Sequence, residues 1–281
     1  MPEGVEVKLT SEEVNSYIGG YTLISIRVVG GRYKRHGPPK NWDEFNSNLP
    51  IKLEKVSSKG KGIFFEFDND WTMYNTLGMT GQWSNSLDKY SAIKFLYSKK
   101  YVNNSSKSST NLKTIYFRDI RNFGTIKLVK GIEEKQKLYD RLGPDMMDNS
   151  TTVDVFKTRL KKYANKNISW ILMSQHIISG IGNYIKAEVL YRAKISPHHA
   201  LVNIPDEKIT HLFDAIKEVM EKSYQLQGNS FHTYRNFQSG GGKFYKLLRV
   251  YRQEKDPEGY DVIREKTLDG RTTHWVKEIQ T

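Results

Sequence analysis

The chain has no cysteine among its 281 residues, and this absence excludes several kinds of chemistry at once. Disulfide bonds, thiolate nucleophiles and cysteine-ligated zinc sites are all ruled out. The sequence also has no run of about 18 apolar residues, so it predicts no membrane span. The N-terminus lacks the basic segment and apolar stretch of a secretory signal. We therefore expect an intracellular protein that has no membrane partner.

Basic residues are in clear excess. The sequence holds 44 Lys and Arg against 31 Asp and Glu, a formal net charge of +13, and 12% of its residues are aromatic. Such an excess near aromatics and glycines favours a polyanionic partner, with nucleic acid first among the candidates. Ordinary surface charge that keeps a protein in solution is the alternative interpretation.

The hydrophobic pattern changes along the chain. A first helix is predicted to end at Gly19-Gly20, and strand patterns then dominate, interrupted by a polar insertion at 98–111. Predicted strands lie at 21–29, within 52–83, and near 92–97, 114–117 and 125–129. Predicted helices follow at 153–163, 170–177, 183–193 and 205–226. The end of the chain returns to strands at 244–251 and 260–266, with a hairpin around Asp269-Gly270 at 267–276.

Familiar catalytic motifs are missing from the sequence. There is no His-Glu-x-x-His pair and no Gly-x-Ser-x-Gly elbow, and SGGGKF at 239–244 lacks the spacing of a phosphate-binding loop. We therefore expect no metal site and no cofactor.

The first residues, MPEGVEV, permit two interpretations. Proline and acidic residues commonly begin a helix. Alternatively, removal of Met1 exposes the secondary amine of Pro2, and an α-amino group titrates near pH 8, well below lysine. Attack of this amine on a sugar C1′ gives an iminium ion with a fixed positive charge, which promotes elimination at the neighbouring carbon. Glu3 is then suited to protonate the sugar ring oxygen.

Several short segments, in order along the chain, resemble the motifs of one family. They are MPEGVE at 1–6, SSKGKGIFFEF at 57–67, LGMTG at 77–81, DIRNFG at 119–124, LGPD at 142–145 and SQHIISGIGNYIKAEVLYRAKISPH at 174–198. The last is similar to a helix–two-turns–helix element. Together they identify the chain as a member of the formamidopyrimidine-DNA glycosylase/endonuclease VIII family, over nearly its whole length.

This resemblance implies roles for the matching residues. Three are implied in catalysis: Pro2, Glu3 and Lys61. Three are implied to fill the gap left by an extruded base: Met79, Arg121 and Phe123. Asn183 and Arg271 are implied as contacts to the DNA backbone, and Glu6 is implied in lesion recognition.

Each role has a plainer alternative. Lys61 could be one more solvated lysine, Met79 and Phe123 could belong to the core, and Asn183 could cap its helix. Against the core interpretation, Met79 and Phe123 both fall in glycine-bounded loops, where functional residues concentrate.

The chain departs from the family pattern in informative places. Val5 and Ile120 stand where prolines are usual, and Asn122 stands where a second arginine is usual. Family members with a zinc finger carry four cysteines, whereas TLDGRTTHWV at 267–276 resembles the zincless finger of an endonuclease VIII-like subgroup. We interpret the chain as a giant-virus member of that subgroup.

The predicted architecture is α+β with two domains. Residues 1–133 form a catalytic β-sandwich domain that carries Pro2 beside an N-terminal helix, and DNA lies in the cleft between this domain and the next. Residues 134–281 comprise the helix–two-turns–helix DNA-binding part (about 134–228), then a lesion loop and zincless finger (about 229–281). The loop from His232 to Phe244 is the candidate flap over the extruded base.

The implied function is base excision repair by a bifunctional DNA glycosylase and abasic-site lyase. Its implied substrates are oxidised pyrimidines and ring-opened purines in damaged DNA, duplex or single-stranded, and we expect a monomer. Two alternatives are a non-catalytic binder of damaged or bent DNA on the same scaffold and a metal-dependent nuclease. The presence of both Pro2 and Glu3 disfavours the first, and the lack of an Asp, Glu and His cluster disfavours the second.

Overall fold

The computed structural model describes residues 1–102, 108–229, 237 and 240–281. These residues form two compact units. The first contains Met1–Pro2, Glu6–Tyr139 and the described part of 230–241. The second contains Glu3–Val5, Asp140–Asn229 and Gly242–Thr281. None of the helices in the described ranges is long and apolar enough to cross a membrane.

The chain begins with helix α1, Gly4–Ile18, which ends at Gly19-Gly20 as predicted. Gly20 has φ +75°, a left-handed conformation that suits glycine at a helix end. Pro2 lies two residues before the first helical residue, so it does not occupy the first turn. The segment does begin a helix, with Glu6 in its first turn, and the chemical role of Pro2 stays a prediction.

The first unit is built on antiparallel strands. In the described ranges they are β1 Thr22–Val28, β2 Ile51–Lys59, β3 Gly62–Phe67, β4 Trp71–Thr76, β5 Gly81–Ser84, β6 Ser91–Val102, β7 Ser108–Asp119 and β8 Thr125–Lys130. Their hydrogen-bonded order is β5-β7-β6-β1-β2-β3-β4-β8. The pairing of β1 with β2 is short, so the sheet can fold over at this point into two layers.

Aromatic side chains fill the space between the two layers. The Trp83 ring in β5 packs against Phe65 in β3, with ring centroids 4.8 Å apart, and against Phe95 and Phe117 of its own layer. The Trp83 indole Nε1 donates a hydrogen bond of 3.0 Å to Asn75 Oδ1 in β4. Because a buried indole N–H needs an acceptor, this bond links the layers. The β-sandwich and the α+β class are confirmed.

Three helices accompany the strands: α2 Gly31–His36, α3 Trp42–Ser47 and α4 Ile132–Asp140. The first two were missed by the sequence analysis because six residues are too few to show a helical period. Each nevertheless buries one aromatic ring. Tyr33 of α2 accepts a 2.6 Å hydrogen bond from the Ile126 N–H, and Phe45 of α3 packs edge-on against Trp71.

Two predictions about irregular segments are wrong. The described parts of the polar stretch at 98–111 are strands and not an insertion loop, since β6 extends to Val102 and β7 begins at Ser108, pairing Ser98 with Leu112 and Val102 with Ser108. Backbone pairing between neighbouring strands has overridden the polar composition. The predicted strand at 244–251 begins instead as a 3₁₀ helix, Phe244–Leu247. Most of the predicted flap, residues 232–236 with 238 and 239, lies outside the described residues.

The second unit is helical and ends in a hairpin. Its elements are α5 Val153–Lys161, α6 Ile168–Met173, α7 Asn183–Arg192, α8 Asp206–Gln225, β9 Ile263–Lys266 and β10 Thr272–Trp275, with a 3₁₀ turn at Leu201–Asn203. Asn167 caps α6, accepting from the Ser169 and Trp170 N–H groups. Residues 184–191 of α7 are all buried, so this helix lies at the centre of the unit.

Candidate active site and nucleic-acid interface

The carboxylate of Glu3 is held by the start of helix α7. The Tyr184 N–H donates to Glu3 Oε1 at 2.9 Å, and the Ile185 N–H donates to Oε2 at 3.3 Å. These are N–H groups of the first helical turn, which have no partner inside the helix and which favour an anion. Glu3 is 2% exposed. The acid predicted from the sequence is thus a buried, oriented carboxylate.

Glycines at 4, 180 and 182 permit this close approach. A Cβ atom at Gly182 would lie 2.2 Å from Cδ of Glu3, so no side chain fits there while Glu3 keeps its place. The Gly4 N–H donates to the Gly180 carbonyl at 2.8 Å, and a Cβ atom at Gly4 would lie 2.7 Å from Gly180 Cα. Glu3-Gly4 and the segment SGIGN at 179–183, about 180 residues apart in the sequence, are therefore direct neighbours within the second unit.

The other predicted catalytic residues lie in the first unit. Pro2 is buried and is joined to Glu3 by one peptide bond. Lys61 occupies the tight turn between β2 and β3, after Gly60 at φ +54°, and is half-buried. Glu6 lies in α1 and is 1% exposed, so a base would have to displace protein atoms to reach its carboxylate. Its role in lesion recognition stays a prediction.

Two loops of the first unit, 77–81 and 119–124, pack against each other. A Cβ atom at Gly78 would lie 2.7 Å from the Phe123 carbonyl carbon, so the two backbones touch here. The Asp119 carboxylate links both loops. It accepts from the Thr80 hydroxyl of the first loop and from the Arg121 and Gly124 N–H groups of its own loop.

This packing brings together the three side chains predicted to fill a gap in DNA. Met79 is half-buried in the first loop, whereas Phe123 in the second is 53% exposed. The Arg121 guanidinium lies over the Phe123 ring, 4.9 Å from its centroid. An exposed aromatic ring beneath a cation is not a core residue, so the core interpretation of Phe123 is wrong.

Asn122, which stands where the resembled family usually has a second arginine, has an unusual backbone conformation. Its φ is +57°, a left-handed conformation that asparagine tolerates better than most residues. Its side-chain Oδ1 accepts a 2.9 Å hydrogen bond from the Arg32 N–H. Asn122 therefore shapes the loop that presents its neighbours.

Asn183 and Arg271 meet at the hairpin of the second unit. Gly182 is the N-cap of α7 and Asn183 its first residue, so the interpretation of Asn183 as a helix cap is wrong. Its Nδ2 instead donates to the Thr272 carbonyl at 2.9 Å. The predicted hairpin is confirmed, with β9 and β10 joined by a turn in which Gly270 has φ +75°. Arg271 follows this glycine and is exposed.

Cations surround the hairpin. Burial first, and then the positive charges of Arg264, Arg252 and Lys186, lower the pKa of His274 to about 4. His274 is therefore neutral at physiological pH. Among the described residues, no group of three or more His, Asp or Glu side chains is arranged to hold a metal ion.

Comparison with known proteins gives one family along the chain. Residues 1–126 match the formamidopyrimidine-DNA glycosylase N-terminal domain, 142–235 match its H2TH domain and 243–281 match its C-terminal domain. The chain belongs to the formamidopyrimidine-DNA glycosylase family. It is a DNA N-glycosylase of base excision repair.

Individual relatives match over their whole length. The formamidopyrimidine-DNA glycosylase of Bacillus cereus is 28% identical over 284 residues, 98% of this chain and 97% of the relative. That of Listeria innocua is 28% identical and covers both chains completely. The structure of the Lactococcus lactis enzyme in complex with DNA that contains an abasic site has a TM-score of 0.82 and 25% identity, covering 99% of each chain.

The glycosylase's hairpin rests on a small apolar cluster. Ala187 and Tyr191 of α7 pack with Val250 and Val276, and Tyr251 lies against the cluster. Two aromatic rings of this unit contact histidines: Tyr251 packs against His274, and Trp275 of β10 packs against His198. Tyr260, by contrast, is 43% exposed.

Two residues that organise these segments of the glycosylase escaped the sequence analysis. Asp119 links the loops at 77–81 and 119–124. Glu188, in α7, accepts hydrogen bonds from the N–H groups of Arg249, Val250 and Tyr251 and so anchors the segment before the hairpin. Charged residues inside an apolar helical pattern were the available signal, since buried carboxylates are rare unless they are paired. The signal did not identify the partners, which are backbone groups distant in sequence.

Replacing Asp119 by asparagine should loosen both gap-filling loops. An amide has one acceptor oxygen where the carboxylate has two, so at least one of the three donors loses its partner. We expect a loss of about 1–3 kcal/mol in the free energy of unfolding. Excision from duplex DNA should also slow, because Met79 and Phe123 are no longer held. Thermal unfolding and single-turnover excision measure the two effects.

The matched control is Asp88→Asn. Asp88 pairs with Arg118 at 2.7 Å, but its side chain is 37% exposed, and exposed ion pairs contribute only about 0–1 kcal/mol. If both variants unfold and excise as the wild type does, Asp119 does not organise the loops.

Proposed function

We propose that this glycosylase is bifunctional and cleaves the DNA strand through the amine of Pro2. One observation carries the proposal: the residue next to Pro2 is a buried carboxylate, held in place by two N–H groups of α7. A secondary amine beside an oriented acid is the pair that imine chemistry on a sugar requires. The proposal needs removal of Met1, which frees the Pro2 nitrogen.

The proposed reaction balances without a cofactor. The Pro2 nitrogen attacks C1′ while the bond from C1′ to the damaged base breaks, and the base leaves with the electron pair of that bond and takes up the proton lost by the nitrogen. Glu3 protonates the sugar ring oxygen, the ring opens, and the nitrogen lone pair forms a C=N⁺ bond to C1′. The Glu3 carboxylate formed in this step accepts the C2′ proton as the 3′ phosphate leaves, and loss of the C4′ proton to water then expels the 5′ phosphate. Water hydrolyses the imine and restores Pro2.

The resemblance of the hairpin to a zincless finger supports a proposed substrate class. We propose oxidised pyrimidines and ring-opened purines, in keeping with the endonuclease VIII-like subgroup that the hairpin resembles. Flipping the damaged nucleotide costs a few kcal/mol, less where damage weakens pairing. Met79, Arg121 and Phe123 are proposed to occupy the gap, as wedge side chains do.

The contacts to the DNA backbone are proposed for Lys61, Asn183 and Arg271. Positive charge around the hairpin supports the last two, since phosphates are recognised chiefly by cations and helix N-termini. The segments needed for catalysis, gap filling and backbone contact all come from this one chain, which supports a monomer as the active form.

Borohydride trapping tests the proposed amine. A duplex carrying an oxidised pyrimidine is mixed with the enzyme and sodium borohydride, which reduces an imine to a stable amine. We expect a covalent protein–DNA adduct whose peptide map places the DNA on Pro2. The intact mass of the purified protein, expected without Met1, is measured on the same sample.

The control inserts one alanine between Met1 and Pro2, which turns the Pro2 nitrogen into an amide and should abolish the Pro2 adduct. Equal trapping by this variant, mapped to a lysine, would overturn the assignment of Pro2. Tight binding of abasic DNA by the wild type with no adduct at all would favour a non-catalytic binder of damaged DNA.

A further inference from the structure

A fully buried ion pair lies at the turn of the hairpin. Lys186 Nζ in α7 donates to Asp269 Oδ2 at 2.7 Å, and the two side chains are 0% and 2% exposed. The ammonium group also lies 3.5 Å from the Thr267 hydroxyl, which itself donates to Asp269 Oδ1. Lysine is almost never fully buried without a partner. The charge of Lys186 is therefore paired with a carboxylate of the hairpin turn.

Stability does not account for such a pair. Removing two charges from water costs about as much as their attraction returns, and an apolar pair of similar volume is often as stable or more so. Burial lowers the pKa of Lys186, and the neighbouring Asp269, then Glu3, oppose that shift. Unlike an apolar pair, an ion pair fixes the distance and direction between two particular atoms.

Two contacts with α7 fix the hairpin on either side of Arg271. Lys186 and Asn183 are three residues apart on α7, so both lie on one face of the helix. Lys186 holds Asp269, two residues before Arg271, and Asn183 holds the carbonyl of Thr272, one residue after it. The exposed guanidinium therefore projects from a turn that is tied to α7 on both sides.

We propose that Lys186 and Asp269 are positioning residues that hold Arg271 where it meets a DNA phosphate. The pair acts as an ionic staple in a hairpin that has no cysteine to bind a metal. The inference rests on the proposed backbone contact of Arg271 and goes beyond it, since neither Lys186 nor Asp269 touches DNA in this role.

The test is the salt dependence of DNA affinity in a charge-neutral variant. Lys186→Met/Asp269→Leu removes one charge of each sign, so the net charge is unchanged. We expect the affinity for a duplex with a tetrahydrofuran abasic analogue to fall about tenfold. We also expect the slope of log affinity against log salt to become shallower by about 0.9, the loss of one phosphate contact. Thermal unfolding should occur near the wild-type temperature.

A second variant, Asp269→Asn, keeps the shape of the side chain and makes the protein more positive by one charge. A purely electrostatic effect would strengthen DNA binding, whereas lost positioning of Arg271 weakens it and flattens the salt slope. Because this variant leaves the Lys186 ammonium buried without its carboxylate, it is less stable than the double variant, and its affinity is measured well below its own unfolding temperature. The exposed pair Lys255–Asp261 is the matched control, and Lys255→Met/Asp261→Leu should bind as the wild type does.

Arg271→Ala separates the two proposals. When added to the double variant it should cause no further loss, because the pair acts through Arg271; additive losses would overturn the inference. If Arg271→Ala alone weakens binding and neither pair variant does, the inference fails and the proposed phosphate contact stands. If Arg271→Ala leaves affinity and slope unchanged, the proposed contact fails, and the inference fails with it.

Discussion

Replacing Glu3 by glutamine should reduce excision of a damaged base by about 10²–10⁴-fold, the usual contribution of a general acid. Glutamine has the same shape but cannot protonate the sugar ring oxygen. It also has only one acceptor oxygen, so one of the two α7 N–H groups that hold the carboxylate loses its partner. The Pro2 amine is unchanged. Cleavage at a pre-formed abasic site, where the bond to the base is already gone, should therefore persist.

Two substrates in parallel make this prediction decisive. Single-turnover rates are measured on a duplex with an oxidised pyrimidine and on the same duplex with an abasic site. Glu12→Gln is the matched control, because it neutralises an exposed carboxylate on the same N-terminal helix. Unchanged excision by the Glu3 variant would remove Glu3 from its role as the acid. Equal loss on both substrates would mean that Glu3 serves the amine chemistry as a whole.

Replacing Gly182 by alanine should nearly abolish excision, although none of the proposed catalytic residues is replaced. The backbone there has φ −128°, which alanine adopts without strain. The new methyl group, however, would lie 2.2 Å from the Glu3 carboxyl carbon, well inside contact distance. The carboxylate has to move away from the Tyr184 and Ile185 N–H groups. A displacement of about 1 Å at a catalytic group can cost about 10²-fold in rate, and we expect at least that loss.

Gly259→Ala provides the comparison. Gly259 has φ +93° with no atom within 4 Å of the added methyl, so its variant bears backbone strain and nothing else. It should unfold at a lower temperature than the wild type and excise normally. The Gly182 variant, by contrast, should lose excision. Wild-type excision by Gly182→Ala would show that the catalytic position of Glu3 differs from the one in the structure.

The strand and helix patterns predicted most elements of the fold, and they failed where neighbours outweigh local composition. Helices α1, α5, α7 and α8 were predicted within a few residues of their observed ends, because each has a long apolar period. Residues 98–102 and 108–111 of the polar stretch joined the sheet because the two strands satisfy each other's backbone hydrogen-bonding groups, whatever the side chains. Helices α2 and α3 are too short to carry a periodic signal.

In the candidate site, too, the sequence showed some features and only the structure showed the others. Loop residues such as Met79, Arg121 and Phe123 stood out from the sequence as glycine-bounded motifs. The sequence did not show that Asp119 ties their two loops together, because hydrogen bonds between segments about 40 residues apart leave no periodic trace. Lys186 likewise read as one of many basic residues until its burial and its partner Asp269 were known.

By itself, the amino-acid sequence limited the chemistry that this protein can perform. The lack of cysteine excludes thiol chemistry and cysteine-ligated zinc in the finger, the charge of +13 suits a polyanion, and Pro2 beside Glu3 supplies the amine and the acid that we propose. Only the tertiary structure decided how those groups are held. Glu3 is oriented by N–H groups 181 residues away, and Arg271 projects from a turn tied to α7 by a buried ion pair. The physical reason is that composition and motifs are local properties of the chain, whereas burial, close approach and hydrogen-bond partners exist only once distant segments pack together.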